Sequence, residues 1–383
     1  MLHAFCLFFL FADPPEASQA NALLRQGLLE LQQNKLAEAR SDLELFSRTN
    51  PENAVVWVSL AQTYLKLNDS EKARVAADKA SKIPSENPAV HHALAIIYVE
   101  LQDFKQAAPL ERKFALSAVA DHDALNRAAS LYLNAGDPQA ALELAQKAFA
   151  QTDSNANRAL LGRAEAAAGQ LQDGIAHLAA AWTSEPANPQ ICFDYAQALL
   201  YAGNFGVAGD AIEKTMTLVG PNTQLQLTLG VVRYGQRRFD EAIRAFLKTI
   251  QLDPSAEQPY LFLGKMMDQA GANLPEITED YRNWLAHEPN NPLAPLMLAK
   301  AESAAAGKPE EISQLLHRSI ELDPNNWESH YELGLLFVKQ HKYPEAAEEL
   351  THSIQLNEKE PMNHYHLSRV YDRLGKSDLA ARE

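Results

Sequence analysis

Residues 57–73 read WVSLAQTYLKLNDSEKA, and residues 91–107, 34 positions later, read HHALAIIYVELQDFKQA. In both, a small residue follows an apolar one (Ala61, Ala95), a tyrosine comes three later (Tyr64, Tyr98) and a second alanine twelve later (Ala73, Ala107). The register extends in both directions. The first small position recurs as Gly27, Ala61, Ala95, Ala129, Gly162, Ala196, Gly230, Gly264, Ala299, Gly334 and Ser368, at intervals of 33 to 35 residues. The second recurs as Ala39, Ala73, Ala107, Ala141, Gly174, Ala208, Ala242, Ala346 and Ala380. Prolines close several of these units, at Pro51, Pro186, Pro254 and Pro324. A period of this length marks a repeat array.

Each unit holds two amphipathic segments of about a dozen residues joined by a polar turn, such as Leu67-Asn68-Asp69 or Asn134-Ala135-Gly136-Asp137. Small residues at two fixed positions let paired helices approach closely, and a closing proline stops the second helix. One unit cannot bury its own apolar faces, so units must stack.

At these residues the chain resembles the tetratricopeptide repeat family, whose pattern is W-x2-L-G-x2-Y…A-x3-F…P. Trp57, Leu60, Ala61, Tyr64 and Ala73 follow it, as do Leu229, Gly230, Ala242, Phe246 and Pro254. The resemblance implies an all-α solenoid of about eleven helix–turn–helix units over residues 20–383, wound as a right-handed superhelix with the first helices lining a concave groove. Irregular repeats are expected near 257–326: Glu276, after Pro275, stands where a small residue belongs, and Glu311 or Ile312 does so one unit later. Looser packing or a changed superhelical angle is expected around 271–312, with a weak point in stability there. The last unit reaches Glu383 partway through its second helix, which makes self-association through this end a further expectation.

Composition sets the limits. The chain has 383 residues, 46% hydrophobic and 22% charged, with 34 Lys+Arg against 49 Asp+Glu. A net charge of -15 argues against nucleic acid as a partner. Two cysteines supply neither a disulfide framework nor a four-ligand zinc site. Residues 1–19 form a leader whose apolar run, Leu2 to Ala12, is too short to span a bilayer. It reads as a signal peptide with cleavage after Ala12 or Ala20, although only His3 precedes the run and no Lys or Arg does; the alternative is a hydrophobic cap on the first helix. A cleaved leader implies a periplasmic or secreted protein, an uncleaved one a cytoplasmic protein. Cleavage removes Cys6 and leaves Cys192 as a single buried thiol.

Catalytic motifs are absent, and neither an enzyme activity nor a cofactor is expected. The string from Gly203 to Gly209 falls at a turn rather than after a strand, so it reads as an interhelical turn. His91-His92 and His364-Tyr365-His366 have neighbours that point to different helix faces, so no metal site is expected and the histidines read as surface or groove residues. Asn68-Asp69-Ser70 matches a glycosylation sequon on an exposed turn.

In the family, positions 5 and 9 of the first helix face the groove. In this chain position 5 gives Phe193, Leu227, Leu261, Leu296, Tyr331 and Tyr365, an apolar and aromatic ladder, and position 9 adds Lys265, Lys300 and Arg369. These nine residues are the expected peptide-binding groove. They suit a protein or peptide partner with apolar side chains and some negative charge; the competing reading packs them against the adjoining helix with the bases lying over it. The early units offer Leu24, Leu28, Val58 and Gln62, which do not make the family's carboxylate clamp. The expected function is a protein–protein interaction scaffold. The alternative is a regulatory or substrate-recruiting subunit of an enzyme complex whose catalytic chain is separate.

Overall fold

The computed structural model describes residues 19–383 except 118 and 122, so the leader and its cleavage sites at Ala12 and Ala20 lie outside the residues whose side chains are described. Among the described residues there are 22 α-helices and no strand. They form two compact units, one ending at Glu185 and the other spanning Pro186–Glu383.

In the first unit α1 (Gln19–Gln32) and α2 (Leu36–Thr49) make the first hairpin. It is followed by α3 (Ala54–Lys66), α4 (Ser70–Lys82), α5 (Pro88–Glu100), α6 (Phe104–Ala115), α7 (Ala124–Asn134), α8 (Pro138–Gln151), α9 (Asn155–Ala167) and α10 (Leu171–Ser184). The second unit runs α11 (Pro189–Tyr201), α12 (Phe205–Val219), α13 (Thr223–Gly235), α14 (Phe239–Leu252), α15 (Glu257–Gly264) and α16 (Leu274–His287). It continues with α17 (Leu293–Ala304), α18 (Pro309–Leu322), α19 (Trp327–Lys339), α20 (Tyr343–Leu356), α21 (Pro361–Arg373) and α22 (Ser377–Ala380).

The helix ends follow from a short code repeated along the chain. Asparagine side chains cap first helices, as Asn53, Asn87, Asn188 and Asn326 do, and aspartates cap second helices, as Asp69, Asp103 and Asp137 do. Between the two helices the chain makes a left-handed turn at Asn34, Asn68, Gln102, Gly136, Gly169, Gly203, Arg237, Ala306, His341 and Gly375. Around Asn68 the backbone bonds Asn68 N→Leu65 O and Asp69 N→Tyr64 O return the last carbonyls of α3 to partners. In several repeats a ring donor four residues before the first small position ties the repeat to the loop that precedes it. Trp57 Nε1 donates to the Pro51 carbonyl at 2.7 Å, the Tyr260 hydroxyl to Pro254 at 3.1 Å, and His330 Nε2 to Pro324 at 3.3 Å.

Both sets of small positions are buried as the spacing requires, Ser368 excepted: the alanines from Ala39 to Ala346 in the second set have 0% exposure. At four of the glycines a large residue sixteen later sits on the small position: Leu43 on Gly27, Leu178 on Gly162, Phe246 on Gly230 and Leu350 on Gly334. Where both positions are glycine, α9 and α10 meet backbone to backbone. A Cβ on Gly174 would lie 2.6 Å from the Gly162 carbonyl oxygen. Successive units are bolted together by polar contacts as well: Tyr64 donates to Glu44 at 2.7 Å and Tyr98 to Asp78 at 2.8 Å, each reaching the second helix before it.

The eighth repeat departs from this geometry. α15 has only 8 residues and gives way to 3-10 turns at Met267–Gln269 and Gly271–Asn273. Around it lies a core that holds three of the four largest fully buried side chains among the described residues. Tyr260 stacks on Trp284 at 4.4 Å between ring centroids, the Tyr281 hydroxyl donates to the Tyr260 carbonyl at 2.7 Å, and all three rings are buried. Bulky residues stand here where small residues provide the close helix contact elsewhere. Cys192 is buried on α11, where burial pushes its thiol pKa up.

Candidate functional site

Within each unit the first helices of successive repeats pack on one another, as α3 does on α5, α11 on α13 and α19 on α21, while second helices make no comparable mutual contact among the described residues. The first helices therefore occupy the inner side of the stack within a unit. This is the side on which the sequence places its nine groove residues, all of them in the second unit.

Their surroundings differ. Leu296 has 0% exposure and belongs to the core, so it presents nothing to a partner. Leu227 and Leu261 are half-buried against that core, and Phe193 is half-buried on α11. Lys300 does not stand free: it is paired with Glu328 on α19 and lies 3.9 Å from Glu332. Lys265 and Arg369 are exposed. The ladder expected from the sequence is thus interrupted, because position 5 of the ninth unit packs inward against the aromatic core of the eighth.

At the end of the unit the expected residues do come together. Tyr331 on α19 lies 5.8 Å from His366 on α21, ring centroid to centroid, and Tyr365 lies 5.1 Å from His366. Trp327 adds its ring 6.3 Å from Tyr331. Tyr365 is 52% exposed, and Arg369 stands one turn along the same face. Burial, then Arg369, lowers the pKa of His366, which favours its neutral form. Burial, then Glu332, pushes Tyr331 up to about 12. The cluster is therefore aromatic and uncharged, edged by an arginine.

Sequence reasoning counted His366 only among the surface or groove histidines and missed Trp327, because it followed positions 5 and 9. The aromatic and imidazole content at the starts of α19 and α21 was the available signal. His92, expected at the surface or in the groove, is 8% exposed, stacks on Phe114 at 4.4 Å and meets Glu111 at 2.7 Å. A partner carboxylate nineteen residues away, on the second helix, makes that burial tolerable. The same spacing pairs His330 with Glu349 at 2.7 Å and His364 with Glu383 at 2.6 Å. No helix among the described residues is long and apolar enough to cross a membrane.

Two family profiles described as tetratricopeptide repeat match the chain, over residues 30–97 and 315–348. With the repeated helical hairpins, they support a tetratricopeptide repeat protein. Among solved structures it is similar to a tetratricopeptide repeat protein from Parabacteroides merdae, at 17% identity over 63% of this chain and 96% of that one, with a TM-score of 0.47. It is also similar to the APC/C hetero-tetramer Cut9–Hcn1, at 15% identity, 95% and 92% coverage and a TM-score of 0.42. Yeast Tom70 follows at 13% identity, 95% and 96% coverage and a TM-score of 0.38. No curated protein matches the sequence.

Proposed function

We propose that this protein is an interaction scaffold, rather than a catalyst, and that it holds a partner polypeptide on the inner face of its second unit at α19 and α21. The observation that carries this reading is the cluster of Tyr331, Tyr365 and His366 beside Arg369, in which half of Tyr365 faces solvent. Aromatic rings with few rotatable bonds give large contact area at low entropic cost, and a neighbouring arginine selects negative charge. An extended peptide with apolar side chains and acidic residues fits this surface. Lys265 extends the basic character along the unit, whereas Lys300, neutralised by Glu328, takes no part.

A photo-crosslinking residue at position 365 in the full chain tests the reading, with one at Leu45, 52% exposed in the first unit, as reference. Position 365 is expected to capture a discrete protein partner in native extract, and capture should fall about tenfold when Tyr331→Ala and Arg369→Glu are added. Equal capture from both positions, or capture indifferent to those substitutions, would overturn it. We also propose that the leader directs export to the periplasm or the cell exterior. Cell fractionation with N-terminal sequencing of the mature chain decides that point, since retention of residues 1–12 in a cytoplasmic protein is the opposite outcome.

A further inference from the structure

We propose that His330, Glu349 and His352 bind a single divalent transition-metal ion of the zinc class, independently of the peptide surface. Glu349 and His352 are three residues apart on α20 and so share a face, and His330 reaches them from α19. Candidate ligand atoms of the three side chains all lie within 4.8 Å of one another.

The His330 ring is held for this task. Its Nε2 donates to the Pro324 carbonyl at 3.3 Å, which turns Nδ1 towards Glu349 Oε2, 2.7 Å away. Metal-bound histidines are commonly oriented by such a bond from the other ring nitrogen to a backbone carbonyl. With the proton on Nε2, Nδ1 presents a lone pair to a carboxylate oxygen, and a cation placed between them satisfies both. His352 completes the set: its ring centroid is 5.5 Å from that of His330.

Two comparable pairs in the same chain show what is distinctive. His364 repeats the geometry, with Nδ1 on Glu383 and Nε2 donating to the Glu358 carbonyl at 3.0 Å, but has no third ligand among the described residues. His92 pairs with Glu111, whose other oxygen already accepts from Arg127 at 2.8 Å. At Glu349 the place of that guanidinium is taken by an imidazole. Two imidazoles and one carboxylate suit zinc and its neighbours rather than calcium or magnesium, which prefer all-oxygen shells. Tetrahedral ligands about 2.1 Å from zinc stand about 3.4 Å apart. The His330–Glu349 contact therefore opens slightly while His352, exposed and free to change rotamer, closes in. The remaining coordination position is left for water or an external ligand.

Titrating the full chain with Zn2+ against a chromophoric chelator, and with Co2+ followed by its visible absorption, tests the site. One equivalent is expected to bind, and to raise the thermal midpoint. His352→Ala, at an exposed position that leaves the fold intact by far-UV circular dichroism, should weaken that equivalent about tenfold or more, as should Glu349→Gln. His364→Ala should not change it. Absence of a chelator-competing equivalent in the unaltered protein would overturn the proposal. So would a His352→Ala variant that binds as the unaltered protein does.

Discussion

Asp280 stands on α16 with Glu276 one turn before it and Glu279 beside it. Burial, then the two glutamates, push its pKa up to about 6 from 3.8. The folded state therefore holds a proton that the unfolded chain has released. Below about pH 4 both states are protonated and the residue is neutral to stability. As pH rises towards 6 the unfolded state ionises first, so stability falls, and above that the full cost of ionising a half-buried carboxyl remains. With solvent screening on its open side the cost is about 1 kcal/mol. Asp280→Asn should raise the urea midpoint at pH 7 and leave it unaltered at pH 3.5; an equal gain at both would show that charge is not the cause. No sequence pattern gives this result, because Asp280 is one of many acidic residues until packing half-buries it.

Helices pair here by two different routes. Between α9 and α10, glycine faces glycine and the backbones touch, so Gly174→Ala drives a Cβ to 2.6 Å from the Gly162 carbonyl and 2.7 Å from the Ala166 nitrogen. Neither atom can yield without moving a helix. The expected cost is about 2 kcal/mol, even after the ~1 kcal/mol by which alanine favours a helix over glycine. It should appear as a lower thermal midpoint by circular dichroism, whereas a midpoint at or above that of the unaltered chain would mean that the helices separate freely. Around α15 the contact is made by Tyr260, Tyr281 and Trp284 instead, and the helix shortens to 8 residues to admit them. The 34-residue period made the first route legible. Only the interruption of that route, at Glu276, pointed to the second.

Each of the two units has its own core: Ala242 to Leu336 form the main cluster of the second, and Leu24 to Ala107 the larger one of the first. Stability in such an array is a sum over repeats and their nearest-neighbour contacts. Residues 186–383 expressed alone should consequently retain helicity and unfold in a cooperative transition. A fragment with helical circular dichroism but no cooperative transition would show that the second unit depends on the first. Near the eighth repeat Trp284, Tyr260, Tyr281 and Phe246 are buried together.

The sequence by itself determined the repeat, its helices, the caps at Asn53 or Asp69 and the small residues that become the buried seams, because each of these depends on neighbours within one turn or one period. It also brought Tyr331, Tyr365 and Arg369 to one face by register alone. What it left open was the fate of each side chain against residues outside its period: Leu296 turned into the core, Lys300 neutralised by Glu328, His92 buried on Glu111, and His330 facing both Glu349 and His352. Those outcomes are set by which carboxylate or ring stands across the helix pair, and that depends on tertiary distance. Periodicity fixes where a side chain starts; packing decides whether it stays free to bind anything.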